Sequence, residues 1–201
     1  MSPLRSRATL PTLFSIIIVD LIGFGILMPV LPFYAESFGA SPFDLGLLLA
    51  IHAAMQFVFA PIWGRLSDRI GRRPVMLGTV AGTTVALLAL GFAPSLPWLF
   101  VARALSGVFA ANISVATAYL TDVTEPNERT RWMGMIGASF GIGFLLGPAM
   151  GALLVPFGLE VPMFAAAGLA AINFFAALAT LKEPTHHELR TDTGISLAMA
   201  G

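Results

Sequence analysis

Cysteine is absent from the 201 residues, and charge is scarce. Without cysteine there is neither a disulfide scaffold nor a thiolate metal site. A soluble domain is about 25% charged, which would put roughly 50 Asp, Glu, Lys and Arg in a chain of this length. Here there are 11 acidic and 11 basic residues. The resulting net charge of zero argues against a nucleic-acid binder, which needs a basic excess. Disorder is excluded too, because it requires low hydrophobicity and high charge. What the chain does have is apolar surface. It is 57% hydrophobic, with a mean hydropathy of +0.85. A single soluble core cannot absorb that much, and the remainder would aggregate. The composition is that of an integral membrane protein. At about 20 residues per spanning helix, the length accommodates about six spans.

Apolar stretches separated by short polar breaks place these spans at residues 10–33, 45–63, 75–92, 97–120, 132–155 and 161–181. The expectation is an all-α bundle over 1–183, followed by a cytoplasmic tail over 184–201 that is either the start of a central loop or a truncated end. Barrel strands would be about 10 residues long with strict in–out alternation, whereas residues 13–31 are apolar on both parities. The first span is too long for the apolar region of a signal peptide and contains Asp20.

Basic residues set the expected orientation. With the N-terminus inside, the inner segments hold Arg5, Arg7, Arg65, Arg69, Arg72, Arg73, Arg129, Arg131, Lys182 and Arg190. The outer connections hold none, and Arg103 lies within the fourth span. Such a split is a positive-inside signal for an even number of spans with both termini cytoplasmic. The expected location is the plasma (inner) membrane.

Between spans two and three the sequence runs Gly64-Arg-Leu-Ser-Asp68-Arg69-Ile-Gly71-Arg72-Arg73-Pro74. A basic cytoplasmic turn accounts for the arginines but not for two glycines bracketing one acid. Glycine permits a tight turn or a close helix approach. An acid among arginines can form charge-assisted bonds or cap a neighbouring helix. Gly64, Leu66, Asp68, Arg69, Gly71, Arg72 and Arg73 together resemble the signature loop of the major facilitator superfamily. Span five carries Gly134, Gly143, Gly147, Pro148 and Gly151. This resembles the antiporter signature of the same superfamily, with Ala152 at its last glycine. Residues 143, 147 and 151 form a strip on one helix face that lets another helix approach closely, and Pro148 permits a bend. Span one, Asp20-Leu-Ile-Gly-Phe-Gly-Ile-Leu-Met-Pro-Val-Leu-Pro, is similar to that of the drug–proton antiporters, the tetracycline efflux pumps among them. Those pumps carry a further acid in span three. Residues 83–86 here, Thr-Thr-Val-Ala, have none, which points away from tetracycline itself.

The resemblance implies the N-terminal six-helix half of a major facilitator fold, built as 3+3 inverted repeats. An echo of that repeat is the single charge in the first span of each triplet, Asp20 and Arg103. Intramembrane charges face a partner or a water-filled cavity. Counting 1.5 Å per residue, the Cα levels of Asp20 and Arg103 differ by roughly 9 Å, a gap that a long arginine and a polar bridge can close. These two are the expected proton-coupling pair, although Arg103 could instead snorkel outward. Gly107, Ala110, Ser114 and Thr117 make a small, weakly polar stripe on span four, and His52 and Gln56 lie one turn apart on span two. Gly107, Ser114, Thr117, His52 and Gln56 are candidate lining for a substrate cavity. His52 could equally be a neutral ring against a polar neighbour. Asn112 and Asn173 read as interhelical hydrogen-bond formers. Asp122 is placed to meet Arg72 or Arg69, and the resemblance makes Gly64, Asp68, Arg69, Gly71, Arg72, Arg73 and Asp122 a cytoplasmic gate.

The implied function is export of a small, fairly apolar drug-like compound in exchange for protons by alternating access. It is not enzymatic, and no cofactor, metal or nucleic acid is expected. Partners would be substrate, protons, lipid and a second six-helix half or another copy. Two alternatives stand: a proton-coupled uptake symporter, and a non-transporting six-span fragment or assembly partner.

Overall fold

The computed structural model of the chain describes residues 9–110, 112–124 and 126–181, and no strand occurs among them. Arg5, Arg7, Lys182, Arg190 and the expected tail over 184–201 lie outside the described residues. The helices are α1 (Thr9–Glu36), α2 (Pro42–Ile70), α3 (Arg72–Gly91), α4 (Leu96–Phe109), α5 (Asn112–Val123), α6 (Arg129–Leu154) and α7 (Val161–Thr180). A 3₁₀ turn, Val155–Phe157, follows α6. Among the described residues six stretches are long and apolar enough to cross a membrane, and the fourth is α4 and α5 together.

Local chemistry sets the turns. Ser41 and Asp44 form a reciprocal capping box, and Pro42 occupies the first turn of α2. The stretch expected as a loop between spans two and three is almost entirely helical. Helix α2 runs on to Ile70, α3 begins at Arg72, and Gly71 alone joins them. Its φ of 107° lies where only glycine is at ease. Backbone near the bilayer keeps its hydrogen bonds by staying helical, which explains why the polar residues 64–70 continue the helix. Gly64 is part of that helix and has no neighbour that an added Cβ would meet.

The packing is symmetric between the two triplets. Span one lies on span five and span two on span four; span three packs on span six, span one on span six, and span three on span four. Exchanging spans one to three with four to six maps this set of contacts onto itself, as inverted repeats require. The core divides into two apolar clusters. One, at the arginine-bearing end, gathers Leu13, Ile17, Met76, Tyr119 and Ile136. The other, at the far end, gathers Ile26, Tyr34, Leu48, Leu90, Leu99 and Met163. The ionisable residues Asp20, His52 and Arg103 fall between the two.

Candidate functional site

A cavity of about 60 Å³ is lined by Asp20, Phe24, His52, Thr83, Arg103 and Ser106, with small apolar side chains from α7 closing it. That is room for a few waters. It brings together three of the residues singled out in the sequence, each from a different helix.

Asp20 and Arg103 line the same cavity without a direct ion pair between them. Asp20 accepts a hydrogen bond from Asn112 Nδ2 at 3.0 Å. Arg103 is 1% exposed and therefore does not snorkel outward. Its Nε has no hydrogen-bond partner among the described residues. A buried guanidinium without a carboxylate partner is tolerated where it borders a polar cavity. His52 is buried against Ser106, with Nδ1 and Oγ 3.0 Å apart. The Ser106 hydroxyl donates to the Arg103 carbonyl at 2.8 Å. Its one hydrogen is thereby used, so it accepts from His52, and the ring carries its proton on Nδ1. Ser106 is the polar neighbour of His52 and was not singled out in the sequence.

Span four was expected as one helix over 97–120. Instead α4 ends at Phe109, and α5 begins at Asn112. Three carbonyls at the end of α4 accept side-chain hydrogen bonds from other helices. Trp63 Nε1 donates to Val108 O at 2.6 Å. Thr83 Oγ1 donates to Phe109 O at 3.5 Å, and Gln56 Nε2 to Ala110 O at 2.9 Å. Of the stripe 107, 110, 114, 117, only Ala110 borders the cavity. Gly107 is packed against α2, where a Cβ would meet the His52 carbonyl oxygen at 2.5 Å. Ser114 is exposed, and Thr117 donates to Ile113 O in its own helix. Gln56, Gly107, Ser114 and Thr117 thus lie outside the lining of this cavity.

At the arginine-bearing end, Arg72 is the hub. Its guanidinium reaches Asp68 at 2.7 Å, Asp122 at 2.9 Å and the Ser67 hydroxyl at 2.5 Å. Helices α2, α3 and α5 are tied together there. Arg73 donates to Leu178 O of α7 at 3.0 Å, and Arg69 is exposed. Asp68 pairs with Arg72 and does not cap α3, which has no side-chain cap.

The glycine strip of α6 faces α1. Cβ atoms on Gly143, Gly147 and Gly151 would meet Leu21, Gly25 and Ile26 at 2.5–2.8 Å. Gly134 has open space around it. Pro148 lies inside α6, where it leaves the carbonyl of Phe144 without its helical donor. Asn173 Nδ2 donates to Ile16 O across α7 and α1 at 3.1 Å.

Known proteins resemble this chain in sequence and fold. A profile of the Major Facilitator Superfamily matches residues 13–197. The chain is 41% identical over 190 residues to the class G tetracycline resistance protein of Vibrio anguillarum, covering 92% of this chain and 47% of that protein. It is 38% identical over 186 residues to the class B protein of Escherichia coli, covering 90% and 46%. The crystal structure of the human organic anion transporter MFSD10 (TETRAN) superposes with a TM-score of 0.78 at 29% identity, covering 89% of this chain and 48% of that one. The chain spans about half the length of the curated relatives it matches. With a six-span bundle of symmetric triplets and a matching profile over most of its length, the chain belongs to the Major Facilitator Superfamily, a family of membrane transporters rather than enzymes.

Proposed function

We propose that this bundle is the proton-handling half of an exporter that exchanges protons for a small, fairly apolar compound of the drug or tetracycline type. The observation that carries the reading is the cavity between the two apolar clusters, where Asp20, itself bonded to Asn112, shares the walls with His52 and Arg103. An acid in a membrane interior is retained at a cost of at least a few kcal/mol, so it has work to do there. Asp20 takes up and releases the proton. Arg103, across the same cavity, biases that exchange by its charge. The tetracycline resistance relatives support the substrate class and the outward direction.

The Arg72 hub acts as the gate, because it ties three helices at one end through bonds that a tilt of any one would break. Helix α5 carries Asn112, bonded to Asp20, at its start and Asp122, bonded to Arg72, near its end. The proton site and the gate are therefore the two ends of one short helix, which gives protonation a mechanical route to the gate. The distribution of basic residues supports a gate on the cytoplasmic side of the plasma (inner) membrane. A second six-helix unit supplies the opposite wall of the transport path, in keeping with the half-length match.

The test is efflux of a panel of apolar drugs, tetracycline among them, from cells making this chain with a complementary half, under an imposed pH gradient. Asp20→Asn is expected to bring efflux to background while leaving the protein in the membrane. Efflux at the wild-type rate in this variant would remove the proton-coupling role.

A further inference from the structure

We propose that Asn112 is the positioning residue of the proton site: its carboxamide closes a ring of two hydrogen bonds with the protonated carboxyl group of Asp20. The inference rests on the proton-coupling reading of Asp20 and names the second residue of that site.

Asn112 is 2% exposed. Its Nδ2 donates to Asp20 Oδ1 at 3.0 Å, while its own Oδ1 is buried with no hydrogen-bond partner among the described residues. An unpaired buried acceptor is destabilising and calls for a donor. An ionised carboxylate cannot be that donor, since it has acceptors only, but a carboxylic acid carries one O–H. The side-chain amide and a carboxylic acid are complementary, each offering one donor and one acceptor. The structure thus contains half of the ring, and a proton on Asp20 supplies the other half. The proton arrives from water in the cavity, resides on Asp20 Oδ2 and is donated to Asn112 Oδ1. Its return to water restores the single bond from Nδ2.

The joint in span four fixes the amide in place. Asn112 is the first residue of α5, two positions after Ala110, whose carbonyl is held by Gln56 of α2. The titratable or charged groups that share the cavity with Asp20 are His52 from α2 and Arg103 from α4. Helix α3 contributes Thr83 and Leu87 there, and α7 contributes Ala166 and Ala170, none of which titrates. The Nδ1 proton of His52 is committed to Ser106. Among the described residues it is Asn112 that hydrogen-bonds Asp20, and Asn112 is left with an unfilled acceptor.

The experiment is infrared difference spectroscopy on the full chain in lipid, acid minus neutral. The C=O stretch of protonated Asp20 is assigned by its loss in Asp20→Asn. Donation of the acid proton to an amide oxygen lowers that frequency. In Asn112→Leu, which keeps the volume, and in Asn112→Ala, the band is expected to move to higher frequency with the helical amide bands unchanged. A band that stays put in both variants would overturn the ring while leaving Asp20 as the proton site. A wild-type spectrum with no band that Asp20→Asn removes would overturn the proton-coupling reading itself, and the ring with it.

Discussion

Gly147 has no room for a methyl group. A Cβ there would sit 2.5 Å from the Cα of Gly25, backbone against backbone, so nothing flexible can yield. Gly134 belongs to the same signature, yet nothing lies within 4 Å of its would-be Cβ. The two positions should therefore part under the same substitution. Gly147→Ala is expected to cost about 1–3 kcal/mol through overpacking. Gly134→Ala should stay within about 0.5 kcal/mol of wild type, as open positions do. Thermal unfolding of the two variants in detergent measures the difference, and equal losses would contradict the seam. The strip itself was legible, because glycines at steps of four leave one face bare. Its partner was not. Which helix fills the groove depends on the order in which the spans assemble, and the answer is α1, within the same chain. For Asp20 and Arg103, the shared cavity was legible from charge in an apolar span. Their separation was not, because Asn112, a neutral residue, occupies the place next to Asp20.

At the scale of elements, the spans stood out because hydropathy alone marks them, but their ends and the joint did not. Residues 64–70 are polar and helical, since a membrane helix extends past its apolar window when its backbone bonds are cheaper kept than broken. The joint has no local signature. Ala110 begins it, and no proline or glycine stands at 108–112. What marks it is long-range: Trp63, Thr83 and Gln56 reach the carbonyls of Val108, Phe109 and Ala110 from two other helices. Trp63→Phe keeps the ring but removes the donor, leaving Val108 O unsatisfied. The expected cost is about 1–3 kcal/mol, with faster amide exchange at 108–114 than elsewhere in the fourth span. Unchanged exchange there would mean that Trp63 does not hold the joint. At the other end of α5, Asp122→Asn should loosen α5 from α3 at Arg72. The chain has no cysteine, so a single reporter, Met76→Cys at a buried position one turn into α3, reads the opening. Faster labelling from the arginine-bearing side is expected with Asp122→Asn. Equal labelling would contradict the gate.

The whole molecule is most exposed along its second and fifth spans, where only 11% and 17% of the apolar window is buried. They are equivalent under the triplet exchange, so the symmetry that organises the bundle also leaves matching faces uncovered. Phe57 and Leu145, 83% and 73% exposed, mark them. The six-helix architecture and the family were legible from composition, from the motif at Gly64–Arg73 and from the distribution of basic residues. The site's detail was not, because it is made by contacts between residues as far apart as Asp20 and Asn112. The central claim is that Asp20 couples proton movement to substrate movement. Everted vesicles from cells making this chain with the complementary half of the class G relative measure this most directly. The vesicles are first acidified inside, and the release of protons is followed as apolar drugs, tetracycline among them, are added in turn. The account predicts proton release with the wild-type chain and none with Asp20→Asn or with this chain alone. Equal release in wild type and Asp20→Asn, or no release in wild type with its complementary half, would contradict it.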